Sequence, residues 1–153
     1  MQDARAKSIH VQSDGNLRHV RITAFVIAIG CAAILTVALY LTPDPRGFGT
    51  HEQLGLPPCL STKFFHVPCP VCGMTTAFTL MAHARPADAF RTQPAGAIFS
   101  VFSLVALAAA VSTALIGDIP RAIHRVAGSR PAVWTFAVIL LAGWLYKVVI
   151  FVQ

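Results

Sequence analysis

The stretch ITAFVIAIGCAAILTVALYL, residues 22–41, is long and apolar enough to cross a lipid bilayer. Residues 95–116 and 132–152 form two further stretches of this kind, and only Lys147 interrupts the last one. Helices alone satisfy their own backbone hydrogen bonds over such runs in lipid. The sequence therefore predicts an all-α integral membrane protein with three transmembrane helices. Because Lys147 lies near the end of its span, we expect its ammonium group to extend to the membrane interface. A buried functional charge is the alternative.

The composition argues against a water-soluble globular domain. Of the 153 residues, 56% are hydrophobic and 12% are charged, whereas soluble domains carry about 25% charged residues. The net charge is +6, but the basic residues are spread along the chain, so they indicate membrane orientation and not a nucleic-acid partner. The six acidic residues are scattered, which argues against acid–base catalysis by paired carboxylates and favours a protein that is not an enzyme.

Lysine and arginine residues flank the three spans unequally. Seven lie in the N-terminal tail and in the loop before the last span, namely Arg5, Lys7, Arg18, Arg21, Arg121, Arg125 and Arg130. Four lie in the longer loop, namely Arg46, Lys63, Arg85 and Arg91. The positive-inside rule therefore predicts a cytoplasmic N-terminus. The predicted order is a cytoplasmic tail (1–21), the first span (22–41), an exoplasmic loop (42–94), the second span (95–116), a basic cytoplasmic loop (117–131) and the third span (132–153).

The predicted loop between the first two spans contains several short segments. Its first part is rich in Pro and Gly and predicts an extended, turn-rich connection. The nine residues after Gly73 are apolar on nearly every side but too few to span, so we expect a half-helix that packs against the spans or enters the outer leaflet. A short interfacial helix is expected over residues 87–92. A fourth span over residues 64–83 is the alternative, although Pro68 and Pro70 would interrupt it.

Three of the four cysteines occur in CLSTKFFHVPCPVCG, residues 59–73. Two residues separate Cys69 from Cys72, a spacing that lets both sulfurs bind one metal ion, and Zn²⁺ prefers four nitrogen or sulfur ligands. Cys59 supplies a third sulfur and His66 is the nearest candidate for the fourth ligand. Further candidate ligands are His51 and His83. The sequence thus predicts a metal site, with zinc as the ion.

Other interpretations of these residues stay open. Cys72 would lie at a helix N-terminus, where a thiolate is stabilised, and a C-x-x-C at a helix start is the arrangement of disulfide oxidoreductases. In an oxidising compartment, two of the three loop cysteines can instead form a structural disulfide. A third hypothesis is a helical partner subunit of a membrane complex or a self-associating protein, since small residues recur at helical spacing in the first two spans.

Residues 59–94 resemble an uncharacterised family of bacterial membrane proteins, known as a domain of unknown function. Its signature is an upstream Cys, then Cys-Pro-x-Cys-Gly-x-Thr, a short helix and a Pro before a span. The matching residues are Cys59, Cys69, Pro70, Cys72, Gly73, Thr75, Ala77 and Pro94. The chain departs from the family, which usually has Gly, Arg and Asn, at His66, Thr76 and Gln93. The resemblance implies a bacterial cytoplasmic membrane protein. The departure at His66 argues against this residue as a ligand inherited from the family, and the departure at Thr76 removes the one charge of the family pattern that could act beside the thiols.

Overall fold

The structure, a computed structural model, describes residues 2–65, 67–116 and 130–152. All regular structure in these ranges is helical, which confirms the predicted all-α class. The helices are α1 (Gln2–Tyr40), α2 (Leu60–Phe65), α3 (Met74–Ala82), α4 (Pro86–Thr92), α5 (Pro94–Ile116) and α6 (Arg130–Val152), with a short 3₁₀ helix at Thr50–Leu54. His66 and residues 117–129, which make up most of the predicted basic loop, lie outside the described residues.

Three of the described helices are long and apolar enough to cross a membrane, as the sequence predicts. Their apolar portions are Leu17–Tyr40, Pro94–Ile116 and Val133–Ile150. Large apolar side chains on their outer faces are exposed, and in a bilayer these faces would contact lipid. Helix α1 begins at Gln2, so the predicted tail continues the helix of the first span. No proline occurs before Pro43 to break this helix.

Small residues allow the long helices to pack closely. Helix α1 lies along α5, and its buried positions include Ala24 and Ala38, which are about four helical turns apart and therefore share one face. Helix α6 contacts α5 through the stacked rings of Phe99 and Phe136, whose centroids are 4.6 Å apart. A Cβ atom at Gly143 would lie only 2.7 Å from the Cβ atom of Ala95, so α6 approaches the start of α5 closely. Such contacts hold helices together in lipid.

The predicted half-helix is α3, and it packs against α1, α4 and α5. A small apolar cluster fills the contact, formed by Ala77, Leu80, Ala89 and Ala97. The predicted interfacial helix is α4. A fourth span over residues 64–83 is not present, because α2 ends at Phe65 and α3 begins at Met74. The intervening prolines lack the N–H that a continuous helix needs. Segment 42–94 is therefore assembled at one end of the helix bundle, where α1 ends and α5 begins.

We expect Gly96→Ala to destabilise this assembly. A Cβ atom at Gly96 would lie 2.9 Å from the Ala77 Cβ and 3.2 Å from the Met74 carbonyl oxygen, so α3 would have to move away from α5. Overpacking of this kind costs roughly 1–3 kcal/mol. The measurement is the thermal unfolding midpoint in detergent. The control is Gly30→Ala, since nothing lies within 4 Å of its added Cβ. Equal midpoints for the two variants would contradict the close α3–α5 contact.

Candidate metal centre

Cys69 and Cys72 lie in a tight turn that leads into α3. The Cys72 N–H donates to the Cys69 carbonyl oxygen at 2.9 Å. Gly73 follows as the N-terminal cap of α3 with φ +85°, in the left-handed region that favours glycine. A Cβ atom at Gly73 would also lie 2.6 Å from the Gly47 carbonyl oxygen. Both the backbone conformation and the available space therefore require glycine directly after the second cysteine of the turn.

Helix α2 brings the third sulfur to this turn. Cys59 immediately precedes the helix, and its carbonyl oxygen accepts the Lys63 N–H at 3.0 Å. The Thr62 N–H donates to the Cys59 sulfur, so the side chain caps the start of α2 in the manner of an N-cap residue. The Thr62 hydroxyl oxygen lies 3.5 Å from the Cys72 sulfur. The first turn of α2 is thereby held against the cysteine turn.

The sulfur atoms of Cys59, Cys69 and Cys72 form a cluster and all lie within 4.8 Å of one another. Cys72 is buried, and the other two are partly buried. Tetrahedral zinc with Zn–S bonds of 2.3 Å needs sulfurs about 3.8 Å apart. A contraction of about 1 Å at most would bring these three to that geometry. This sulfur cluster can therefore hold a metal ion.

The histidines named as candidate ligands have different positions. His66 lies outside the described residues. His51 Nε2 is 3.3 Å from the Pro57 carbonyl oxygen, and His83 Nδ1 is 2.8 Å from the Thr79 carbonyl oxygen at the end of α3. Among the described residues, the group able to hold a metal comprises the three cysteines and neither of these two histidines.

The thiols of the cluster differ in acidity. Burial raises the pKa of Cys59, but hydrogen bonds from Thr62, through its N–H and its hydroxyl, and from the other two thiols outweigh burial and lower the pKa to about 6. Burial raises the pKa of Cys69 to about 12. A hydrogen bond from the Val71 N–H opposes this effect, and hydrogen bonds with the Cys59 and Cys72 sulfurs, together with the charge of Cys72, add to it. Cys59 therefore holds a negative charge at neutral pH while Cys69 keeps its proton, as long as no metal is bound.

Side chains from α6 and from the α4–α5 junction fix the backbone of the cysteine turn. The Trp144 Nε1–H donates to the Pro68 carbonyl oxygen at 2.9 Å. The Gln93 Nε2–H donates to the Pro70 carbonyl oxygen at 3.3 Å. Both acceptors flank Cys69. The third apolar helix, distant in sequence, is thus part of the framework that positions the sulfurs.

Lys147 is buried in the protein, which fits the alternative of a buried charge and not a side chain that extends into solvent. Its side chain is 6% exposed, and Nζ donates to the carbonyl oxygens of Gly47 at 3.0 Å and Thr92 at 3.1 Å. These carbonyls belong to a turn and to the last turn of α4, where helix geometry leaves acceptors unpaired. Nζ also lies 3.3 Å from where a Gly73 Cβ would be. The Lys147 amine therefore lies next to the cysteine turn, in a chain where Thr76 replaces the usual arginine of the family pattern.

The acidity difference predicts which thiol reacts first. In metal-free protein at pH 7, we expect maleimide to modify Cys59 before Cys69, because only the thiolate is a good nucleophile. The reactivity of Cys59 should fall as the pH decreases through about 6. Thr62→Val removes the hydroxyl donor and should raise the pH at which Cys59 is half reactive. Cys31, in the apolar part of α1, is the unreactive internal control. Mass spectrometry of singly modified protein measures the order, and faster modification of Cys69 would contradict it.

Comparison with known proteins identifies the segment that holds the sulfur cluster. Neither a curated protein nor a solved structure matches the chain. Residues 59–107 match the family described as a protein of unknown function, DUF2752. This match begins at Cys59, contains α2, α3 and α4, and ends within α5. It confirms the resemblance to a family of unknown function: residues 59–107, which include the sulfur cluster, are similar to that family.

Proposed function

We propose that this protein binds a metal ion at the membrane, with Cys59, Cys69 and Cys72 as thiolate ligands and zinc as the ion. The observation that carries the proposal is that the sulfur of Cys59, before α2, and the sulfurs of Cys69 and Cys72, in the cysteine turn, all lie within 4.8 Å of one another. Thiolates select soft or borderline ions, and zinc accepts three sulfurs together with one nitrogen or oxygen ligand. His66, between α2 and the cysteine turn, is the proposed fourth ligand.

The proposed role of the ion is structural. Bound at the sulfur cluster, it would join the start of α2 to the turn that begins α3, and so close the chain segment between Cys59 and Cys72. Hydrogen bonds to sulfur are weak, so metal coordination would supply most of the attachment of α2. A single disulfide would join only two of the three sulfurs, whereas all three lie within 4.8 Å of one another.

We further propose that segment 42–94 faces the exoplasmic side of a bacterial cytoplasmic membrane and that the N-terminus is cytoplasmic. The support is the distribution of basic residues, with Arg18 and Arg21 directly before the apolar part of α1. The cysteine turn and the ends of α1, α5 and α6 around it would then lie at the outer surface.

Metal analysis of detergent-purified protein tests the proposed site. We expect one zinc ion per chain in the unaltered protein. Cys59→Ser and Cys72→Ser should each reduce the zinc content at least tenfold under chelator competition, because each removes one of the thiolate ligands. The matched control is Cys31→Ser, which replaces a cysteine in the apolar part of α1 and should leave the zinc content unchanged. Absence of stoichiometric zinc from the unaltered protein and the control would disprove the zinc site.

Labelling of intact cells tests the orientation. After treatment with a chelator and a reductant, we expect a membrane-impermeant maleimide to modify the cluster cysteines in intact cells. Cys59 and Cys69 are partly exposed, so the reagent can reach them without unfolding. A Cys59→Ser/Cys69→Ser/Cys72→Ser variant is the control for specific labelling. Modification that requires opening of the cytosol would place the segment on the cytoplasmic side and reverse the proposed orientation.

Thiol–disulfide exchange is the second candidate function, and the acidity of Cys59 is the observation that favours it. Reactive cysteines have a lowered pKa, and hydrogen bonding lowers the pKa of Cys59 to about 6 despite its burial. In this mechanism the Cys59 thiolate would attack a substrate disulfide, release one substrate thiol and form a mixed disulfide. A neighbouring cluster thiol would then attack the Cys59 sulfur, release the second substrate thiol and leave a disulfide within the cluster. Unlike the zinc site, it predicts that a substrate disulfide is reduced by the metal-free protein and that Cys59→Ser abolishes this reaction.

A further inference from the structure

Among the residues that the structure describes, no carboxylate forms an ion pair with the buried Lys147. Its charge lies in a helix that is apolar enough to span a membrane, where an uncompensated charge is unfavourable. Every ion pair within residues 17–65, 67–116 and 133–150 is formed by an arginine, namely Arg46, Arg85 or Arg91. The carbonyl oxygens of Gly47 and Thr92 solvate the ammonium group, but they carry no net charge to balance it.

The cysteine turn, which would carry thiolate charge with a metal bound, lies close to Lys147. Nζ of Lys147 lies 3.3 Å from the position of a Cβ at Gly73, which directly follows Cys72. A Cβ atom at Gly47 would also lie close to Nζ, at 3.4 Å. Because Gly73 and Gly47 have no side chains, the ammonium group can come this close to the turn.

The charges of the proposed site explain why a cation is useful there. Three thiolates and one divalent ion carry a net charge of −1, and a neutral histidine as fourth ligand leaves that charge unchanged. The Lys147 ammonium brings the sum to zero. A neutral assembly is favoured where water is partly excluded, because both an isolated anion and an isolated cation lose solvation there.

We infer that Lys147 is the counter-charge of the metal–thiolate cluster. It acts through the ligands and is not itself one, since its Nζ donates to two carbonyl oxygens. This inference rests on the proposed metal-binding function. It assigns an electrostatic role to the third apolar helix, which contributes none of the sulfurs.

A double-mutant cycle with Cd²⁺ as the probe tests the inference. Chelator competition gives the Cd²⁺ affinity of four purified full-length proteins: unaltered, Lys147→Met, Cys59→Ser and the double variant. Loss of a residue that supports the ligands typically weakens metal binding 10- to 100-fold, and we expect such a loss for Lys147→Met. In the Cys59→Ser background, two thiolates already neutralise the divalent ion, so the same change should cost less than threefold. A merely structural lysine would cost the same in both backgrounds.

Two additional variants complete the experiment. Lys63→Met removes an exposed lysine of α2 near the same cluster and should change the affinity less than threefold. Lys147→Gln keeps an amide donor for the carbonyl oxygens and replaces Lys147→Met if that variant does not fold. If the unaltered protein binds Cd²⁺ but loss of the lysine has no effect, or an equal effect in both backgrounds, the counter-charge role is wrong and the metal site stands. If the unaltered protein binds no Cd²⁺, both proposals are wrong.

Discussion

The structure depends on one constraint, that backbone carbonyls near lipid need hydrogen-bond donors. Within the three long helices, the backbone N–H and carbonyl groups hydrogen-bond to one another. Segment 42–94 is turn-rich and cannot do so, and here side chains donate to the main chain. Trp144 and Lys147 of α6 supply two of these donors, and Tyr146 donates to the Arg91 carbonyl oxygen at 3.2 Å. The end of α6 thus completes the hydrogen bonding of a segment that precedes it by fifty or more residues.

The same constraint determines how the sulfur cluster is held. The cysteine turn is too short to make helical hydrogen bonds at Pro68 and Pro70, so both carbonyls receive side-chain donors. On its other side, the turn continues into α3, which is held to the segment after α1 by a buried hydrogen bond of 2.8 Å between the hydroxyl oxygens of Thr50 and Thr76. With its backbone fixed on both sides, the turn has few ways to relax. Sulfurs held in this way are pre-arranged for an ion, which lowers the entropic cost of binding.

Local patterns in the sequence predict the elements but not the contacts between distant ones. The three apolar stretches, the half-helix after Gly73 and the grouping of Cys59 with the cysteine turn all follow from length, periodicity or spacing within a few tens of residues. The burial of Lys147 does not, because its acceptors belong to residues 55 and 100 positions away. Snorkelling is the ordinary behaviour of a lysine near the end of a span. Only the tertiary structure shows that the end of α6 packs beneath segment 42–94.

The register of α6 against α5 links helix packing to the electrostatics of the sulfurs. Gly143 and Lys147 are four residues apart and therefore lie on the same face of α6. Gly143 allows close approach to Ala95 and to the Gln93 side-chain oxygen, which would lie 3.4 Å from a Cβ atom at Gly143. This oxygen has no hydrogen-bond partner among the described residues. One turn further on, Lys147 reaches the cysteine turn. A shift of α6 by one turn, about 5.4 Å, would drive a larger side chain into the glycine contact and withdraw the ammonium group from the cluster. Close packing at Gly143 therefore fixes where the positive charge lies.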